Sequence, residues 1–238
     1  QRFVHHGCGP TLPSSANYRL LHGDGRGGLQ YASTRAYLAA FDIPMQDPRW
    51  DVIQRELSPA AAQRVICQGV SARCTRLLYA AMRARSPALR GLQSWRVATA
   101  CTGGDLMLSG LDAAGIQYRV VQASELKSTT VGRASRKVIN ALYEGDGFRL
   151  FDDACSEDAI GGAASDLFAM GFPCTKFSAL NRQRSEEDVR EALKQLRLML
   201  RYINRHRPAG VLLENVAGLL RPQMQHALAG ICDALLDI

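Results

Sequence analysis

The chain has 238 residues, of which 47% are apolar and 21% charged, so it can bury a sizeable core in one or two domains. No run of about 18 apolar residues and no apolar leader-like stretch occurs, so we expect neither a membrane span nor a signal peptide. The net charge is +7 and the basic residues are mostly Arg, a balance that permits a polyanionic partner such as nucleic acid without demonstrating one.

The seven cysteines are widely spaced and include no C-x-x-C pair, which argues against a disulfide framework and favours a reducing, intracellular location. His5, His6 and Cys8 lack the second pair of ligands that a structural zinc ion needs. We therefore predict no metal site.

The N-terminal third is irregular and then helical. Its first 30 residues are rich in Gly, Ser and Pro and predict loops with short strands. From 33 to 84 the pattern is helical, with breaks at Pro44, Pro48 and Pro59. Within it, segment 70–84 predicts a helix whose buried side carries Leu77, Leu78, Ala81 and Met82.

Strands and helices alternate from Trp95 onward. Strands are predicted at 97–100, 118–123, 149–151, 166–170 and 211–213. Helices are predicted at 105–114 and 133–143. A third helix is predicted to begin after Ser185, an N-cap with Asp188 three residues later, and a fourth begins around Pro222. This alternation predicts an α/β fold with a mostly parallel, doubly wound sheet, in which ligands bind at the carboxyl ends of the strands.

Two strand ends carry a candidate cofactor site. The first strand is followed by Thr102-Gly103-Gly104, whose glycines permit close backbone approach, and Glu125 ends the next strand 21 residues later. This pair fits a dinucleotide or S-adenosylmethionine (SAM). The sequence here lacks a full G-x-G-x-x-G, which counts against a dehydrogenase. A tight turn with a solvated Glu is the structural alternative. Asp153, or its neighbour Asp152, is placed to accept a hydrogen bond from an adenine amine.

The last two strand ends carry the most specific motifs. Gly171-Phe172-Pro173-Cys174 is followed by Phe177-Ser178, and Glu214-Asn215-Val216 follows the fifth strand. Both motifs, in this order, resemble those of DNA cytosine-5 methyltransferases. The alternative for Cys174 is a small buried hydrophobe.

The resemblance implies an enzyme that methylates carbon 5 of cytosine in DNA. Cys174 would attack carbon 6 of a base flipped out of the duplex, with Pro173 ordering it. Glu214 would contact ring nitrogen 3 and the exocyclic amine, and Asn215 would hold the loop geometry. The stretch 175–190 would close over the base.

A Rossmann-like SAM-dependent methyltransferase domain is the fold that the resemblance implies, with SAM as cofactor. The implied SAM contacts are Thr99, Cys101, Thr102, Gly103, Gly104, Glu125, Leu126, Asp153, Ala154, Pro173, Gln68 and Gly69. Thr99 stands where the family usually has Phe, and Cys101 where it usually has Gly.

The order of motifs departs from the family, in which a recognition region and two last motifs follow Glu-Asn-Val. Here 24 residues follow Glu214, so we expect a full target-recognition domain and the Arg-rich motif to be absent, with a second chain as one source of them. Segments 10–15 and 28–35 resemble the end of the recognition region, and 39–44 and 62–70 resemble the last motifs. A circular permutation, with 1–90 as the permuted segment packing on a 91–238 core, accounts for this. An unrelated helical extension or a junction of tandem modules are the alternatives.

Three other functions stay open. The same chemistry on RNA, or a catalytically weak, partner-dependent DNA-binding subunit, fits the same motifs. A thiol hydrolase using Cys174 with His206 fits them less well. An intracellular location with DNA is expected, and nucleus, organelle and bacterial cytoplasm are not distinguished.

Overall fold

A computed structural model describes residues 21–23, 29–31, 33–145, 147–178 and 185–236. The strands are β1 (Leu21–Gly23), β2 (Leu29–Tyr31), β3 (Trp95–Ala100), β4 (Tyr118–Ser124), β5 (Arg149–Phe151), β6 (Leu167–Gly171) and β7 (Gly210–Glu214). The helices are α1 (Thr34–Ala40), α2 (Arg49–Glu56), α3 (Pro59–Ile66), α4 (Ala72–Arg85), α5 (Pro87–Arg90), α6 (Ser109–Ala113), α7 (Thr130–Tyr143), α8 (Glu157–Ile160), α9 (Glu186–His206) and α10 (Gln225–Leu236). Short 3-10 turns precede α6 and α10.

Five strands form one parallel sheet in the order β5-β4-β3-β6-β7. Parallel neighbours require crossover connections, and helices occupy the connections between successive strands. The order runs outward from β3 in one direction and from β6 in the other. The carboxyl ends of β3 and β6 therefore meet at the switch point where doubly wound sheets bind ligands, and the predicted Rossmann-like α/β fold is confirmed.

The described residues cluster into two compact units. The first contains the described residues up to Ala81 with 103–116 and 127–144, and the second contains 82–102, 117–126 and 145–236. The sequence-based division at 90/91 follows family correspondence and stays a prediction. The compact units are divided differently because two segments between strands cluster with the N-terminal helices.

The second unit contains the sheet and its main core. Apolar side chains of β3 and β6 are buried with one face of α9, and the Phe168 ring stacks on Tyr202 with centroids 4.8 Å apart. The capping box predicted at the start of α9 is present, because Ser185 and Asp188 each accept a backbone N–H bond from the other.

The first unit has a separate core of α1, α2, α3 and α7. Leu38, Ile53, Ile66, Leu106 and Val138 are fully buried in it. Ser58 caps α3 and Pro59 occupies its first turn, as the break at that proline predicts.

The prediction for the buried side of α4 was wrong for Leu77, Leu78 and Ala81, whereas Met82 is half-buried. Leu77 and Leu78 are 57% and 47% exposed, while Ala72, Thr75 and Tyr79 are buried. The buried residues follow helical spacing, so small and aromatic side chains form the packed stripe and the two leucines lie off it.

Two predicted helices begin differently in the structure. The helix predicted from 105 begins in a 3-10 turn because Asp105 has a φ of 55°, and α7 begins three residues earlier than predicted behind the Thr129 cap. Segment 10–15 and Gly28, which carried part of the permutation argument, lie outside the described residues. Among the residues described, no helix combines the length and apolar character that crossing a membrane demands.

Candidate active site

Cys174 lies in a short turn directly after β6. Its carbonyl oxygen accepts hydrogen bonds from the amides of Phe177 and Ser178, both at 2.9 Å. Phe172 and Phe177, on either side, are buried with their rings edge to face at 5.9 Å. Two aromatic anchors therefore fix the turn in place, while the thiol-bearing residue itself stays half-buried.

The register of β6 and β7 brings the second motif beside the first. Gly171 pairs with Glu214 at the ends of these strands. A Cβ atom on Gly171 would lie 3.0 Å from the Cys101 carbonyl oxygen and 3.4 Å from Glu214 Oε2. Glycine at this position thus leaves the space that lets the ends of β3, β6 and β7 converge.

Asn215 connects the two motifs through hydrogen bonds. Its Nδ2 donates to the Phe172 carbonyl at 2.9 Å, and its Oδ1 accepts from the Val216 amide at 2.9 Å. The side chain therefore joins the residue after β7 to the backbone two residues before Cys174.

Glu214 affects the ionisation of Cys174. Burial raises the pKa of the Glu214 carboxyl. Burial also raises the pKa of the Cys174 thiol, and the negative charge of Glu214 raises it further. Glu214, rather than a histidine, is thus the titratable side chain that acts on the thiol. The ring of His206 instead contacts the Ile160 carbonyl through Nε2 at 2.9 Å and packs on Tyr202.

Cys101 is the point around which the predicted cofactor residues of the second unit gather. Its φ of 54° is a backbone conformation that glycine adopts without steric cost, which accounts for the glycine usual there in the family. Its amide donates to the Ser124 carbonyl at 2.9 Å. Burial raises the pKa of its thiol to about 12, and the charges of Glu125, Cys155 and Asp153 add to the rise.

The two candidate carboxylates differ in exposure. Glu125 is half-buried, and its amide donates to the Phe151 carbonyl at 3.1 Å, which fixes it at the end of β4. Asp153 is exposed and its Oδ1 accepts from the Cys155 amide at 2.8 Å. Carboxylates at successive strand ends can accept hydrogen bonds from the hydroxyl and amine groups of a nucleoside. These two side chains therefore fit the nucleoside part of SAM.

The remaining predicted cofactor residues of this unit occupy varied environments. Thr99 and Thr102 are buried, Ala154 is half-buried against the main core, and Leu126 and Pro173 are exposed.

The glycine turn after β3 is packed within the first unit. Gly103 has a φ of 64°, and a Cβ atom on it would lie 3.2 Å from Gln68 Oε1. A Cβ atom on Gly104 would lie 2.7 Å from Val65 Cγ1. Gln68 therefore lies against the turn, and the cofactor role of both stays a prediction.

Gly69 is the other predicted residue next to this turn. A Cβ atom on it would lie 2.6 Å from Leu106 Cδ1, so glycine permits the segment after α3 to approach the segment after the turn.

The sequence argument missed two residues that fix the turn carrying Cys174. Gly171 was quoted only as part of a motif, although a small residue at a strand end beside a motif signals close approach. Lys176 forms a 2.5 Å ion pair with Asp188, which joins the turn after β6 to the first turn of α9. Within the described ranges, no group of three or more potential metal ligands is found.

Comparisons with known proteins agree with the motifs. Residues 138–238 match the family model described as C-5 cytosine-specific DNA methylase. The type II methyltransferase M.NgoMIV of Neisseria gonorrhoeae is 30% identical over 132 residues, which are 53% of this chain. The match spans 37% of that relative's length.

Two solved structures are also similar. One, from Pyrococcus horikoshii, was solved as a proposed RNA methyltransferase; it is 14% identical with a TM-score of 0.38, over 82% of this chain and 77% of that one. The other is an O-methyltransferase family protein of Burkholderia thailandensis, 15% identical with a TM-score of 0.35, over 76% of this chain and 57% of that one.

Proposed function

We propose, from the premise that this chain belongs to the C-5 cytosine-specific DNA methylase family through residues 138–238, that it methylates carbon 5 of cytosine in DNA. The observation that carries the proposal is the pairing of Gly171 with Glu214, because it sets a half-buried carboxyl beside the Cys174 turn. SAM, when bound, supplies an electrophilic methyl group.

Cys174 is the proposed nucleophile. Its thiolate would add to carbon 6 of the cytosine ring, which makes carbon 5 electron-rich enough to accept the methyl group. Carbon 5 would then take the methyl group, with S-adenosylhomocysteine as the leaving group. Loss of the carbon 5 proton to water and elimination of the thiolate would restore the aromatic ring and free Cys174. Reaching the thiol requires the base to leave the duplex, so DNA binding includes base flipping.

Glu214 is the proposed proton donor to ring nitrogen 3, and its protonation serves two purposes. Its raised pKa favours the neutral acid that can donate a hydrogen bond to the ring. The neutral acid also removes the negative charge that opposes ionisation of Cys174. Substrate binding that protonates Glu214 would therefore activate the nucleophile at the same time.

The proposed SAM contacts come from the strand ends and the glycine turn. Glu125 would accept from the ribose hydroxyls and Asp153 from the adenine amine, with Gly103 and Gly104 beside the methionine part. The position of Gln68 against Gly103 supports segment 62–70 as the family's last motif, placed N-terminally.

The proposed function also requires a region that recognises the DNA target. The chain spans little more than a third of the curated relative, so a recognition region supplied by further sequence or a second chain is part of the proposal.

The experiment is transfer of radiolabelled methyl from SAM to mixed-sequence DNA by the wild type and Cys174→Ala, with SAM binding measured by calorimetry. Cys74→Ala, at an exposed cysteine of α4, is the matched control. We expect label with the wild type and the control only. Equal label with Cys174→Ala would refute the nucleophile. SAM binding without any label would favour the catalytically weak, partner-dependent alternative, and label in RNA alone would favour the RNA alternative.

A further inference from the structure

Arg49, the first residue of α2, is a fully buried arginine. Its Nη1 pairs with Asp47 Oδ1 at 3.0 Å and Asp112 Oδ2 at 2.8 Å, and its Nη2 donates to the Tyr143 hydroxyl at 3.0 Å. Its Nε donates to the carbonyl oxygen of Asp105 at 3.0 Å. One guanidinium thus joins α2, the segment after the glycine turn and the end of α7, all within the first unit.

The carboxylates explain why the charge is tolerated. Asp47 has a fully buried side chain, and Asp112 is 34% exposed, so the buried cation has a buried counter-ion and a second carboxylate nearer the surface. The ion pairs with Asp47 and Asp112 given above both use Nη1. The bond from Nε to a backbone carbonyl is a separate contact that charge balance does not require.

The carbonyl that Nε holds belongs to the residue directly after the glycine turn. Asp105 has a φ of 55° and Gly103 a φ of 64°, so two residues within three adopt left-handed backbone conformations. Asp enters this region more readily than most non-glycine residues, and contacts from the surroundings hold it there. Val65 and Gln68 pack against the glycines, and Arg49 holds the next carbonyl.

We propose that Arg49 is a positioning residue that sets the geometry of the Gly103-Gly104 turn for SAM, an inference that rests on the function proposed above. A guanidinium is needed because it offers five donors in one plane, so Nε and Nη1 reach different acceptors together. A lysine at this position keeps the charge pairing with Asp47 and loses the bond to Asp105.

The test compares Arg49→Lys with Asp112→Asn in the full chain. Both weaken the same ionic network, but only Arg49→Lys removes the bond to the Asp105 carbonyl. Binding of S-adenosylhomocysteine is measured by calorimetry, with thermal unfolding of each unliganded variant as a check on folding. Arg55→Lys, at an exposed arginine of α2, is the control for the exchange itself.

We expect Arg49→Lys to raise the Kd by roughly tenfold or more and Asp112→Asn to change it less than about threefold. The KM for SAM should rise with it, whereas kcat at saturating SAM and the KM for DNA should hold, a split that general destabilisation does not produce. If Arg49→Lys does not fold, the double variant Asp47→Asn/Arg49→Gln removes both buried charges and is expected to weaken binding equally.

Two results overturn the inference. Equal binding by Arg49→Lys (or, if that variant does not fold, by the double variant) and the wild type would show that the turn does not depend on this contact. An equal loss of S-adenosylhomocysteine affinity in Asp112→Asn and Arg49→Lys would show that the ionic network as a whole, and not the bond to the Asp105 carbonyl, matters for binding. A wild type that binds no S-adenosylhomocysteine would instead refute the cofactor assignment in the proposed function, and the inference with it.

Discussion

Replacing Asn215 by Ala is expected to separate the position of the catalytic loop from its chemistry. The substitution removes the bonds to the Phe172 carbonyl and from the Val216 amide. A net contribution of about 1 kcal/mol for each gives a loss of about 2 kcal/mol in the free energy of unfolding. For a domain of this size that lowers the Tm by roughly 4–8 °C.

At the assay temperature the variant should stay folded, so the loss of methyl-transfer rate should be larger than any loss of folded protein. The Phe172 carbonyl lies two residues before Cys174, so releasing it loosens the turn that presents the thiol. Misplacing a nucleophile by about 1 Å costs on the order of 100-fold in rate. We expect Asn215→Ala to lower the rate of methyl transfer by roughly 10- to 100-fold with SAM binding unchanged.

The assay is the first-order rate of covalent adduct formation with DNA that contains 5-fluorocytosine, measured in the presence of SAM. Fluorine at carbon 5 cannot leave as a proton, so the proposed Cys174 adduct should accumulate, and its formation can be timed directly. Asn204→Ala, at an exposed position of α9, is the control. A folded Asn215→Ala variant that forms the adduct at the wild-type rate would refute the argument that this side chain positions the loop.

Three other substitutions test the remaining parts of the site. Glu214→Gln removes the charge that raises the pKa of Cys174, so alkylation of that thiol by iodoacetamide at pH 7 should be faster while methyl transfer is slower; unchanged alkylation would contradict the coupling. Gly171→Ala would set a Cβ atom 3.0 Å from a backbone carbonyl, and we expect a loss of about 1–3 kcal/mol in chemical denaturation together with reduced methyl transfer; wild-type values would mean the strand ends adjust freely. Lys176 and the helix cap lower the pKa of Asp188 to about 2, below its unfolded value of about 3.9, so their stabilisation is present at neutral pH and lost between about pH 4 and 2. Asp188→Asn should remove that part of the acid-unfolding profile, and an unchanged profile would count against the linkage.

The strands could be predicted from the sequence because each is a short apolar run that is followed within a few residues by polar or glycine residues. Ser185 with Asp188 likewise gave a local signature that needs no tertiary contact. The same holds for the pairing of the two motifs, since Glu214 ends one strand of a parallel sheet and Cys174 follows the neighbouring strand. Local patterns of this kind still placed three strand ends one residue early, since the strands end at Ser124, Gly171 and Glu214.

Features that depend on contacts between distant segments could not be predicted in this way. Nothing in the local sequence indicates that Arg49 is buried, because its partners Asp105 and Asp112 lie 56 and 63 residues away. Leu77 and Leu78 were assigned to a core by hydrophobicity alone, whereas the packed stripe of α4 uses smaller residues. Periodicity gives a helix and its spacing, but the neighbouring elements select which stripe is buried.

The pairing of Gly171 with Glu214 makes the site a property of backbone register. A slip of one residue between β6 and β7 would move Glu214 by about 3.3 Å and turn its side chain to the opposite face of the sheet. Intermediate arrangements are not available, because a strand pairs in whole residues. A preparation damaged at this pairing should therefore contain a smaller fraction of competent molecules, each with its normal turnover, and active-site titration would find fewer sites at an unchanged rate per site.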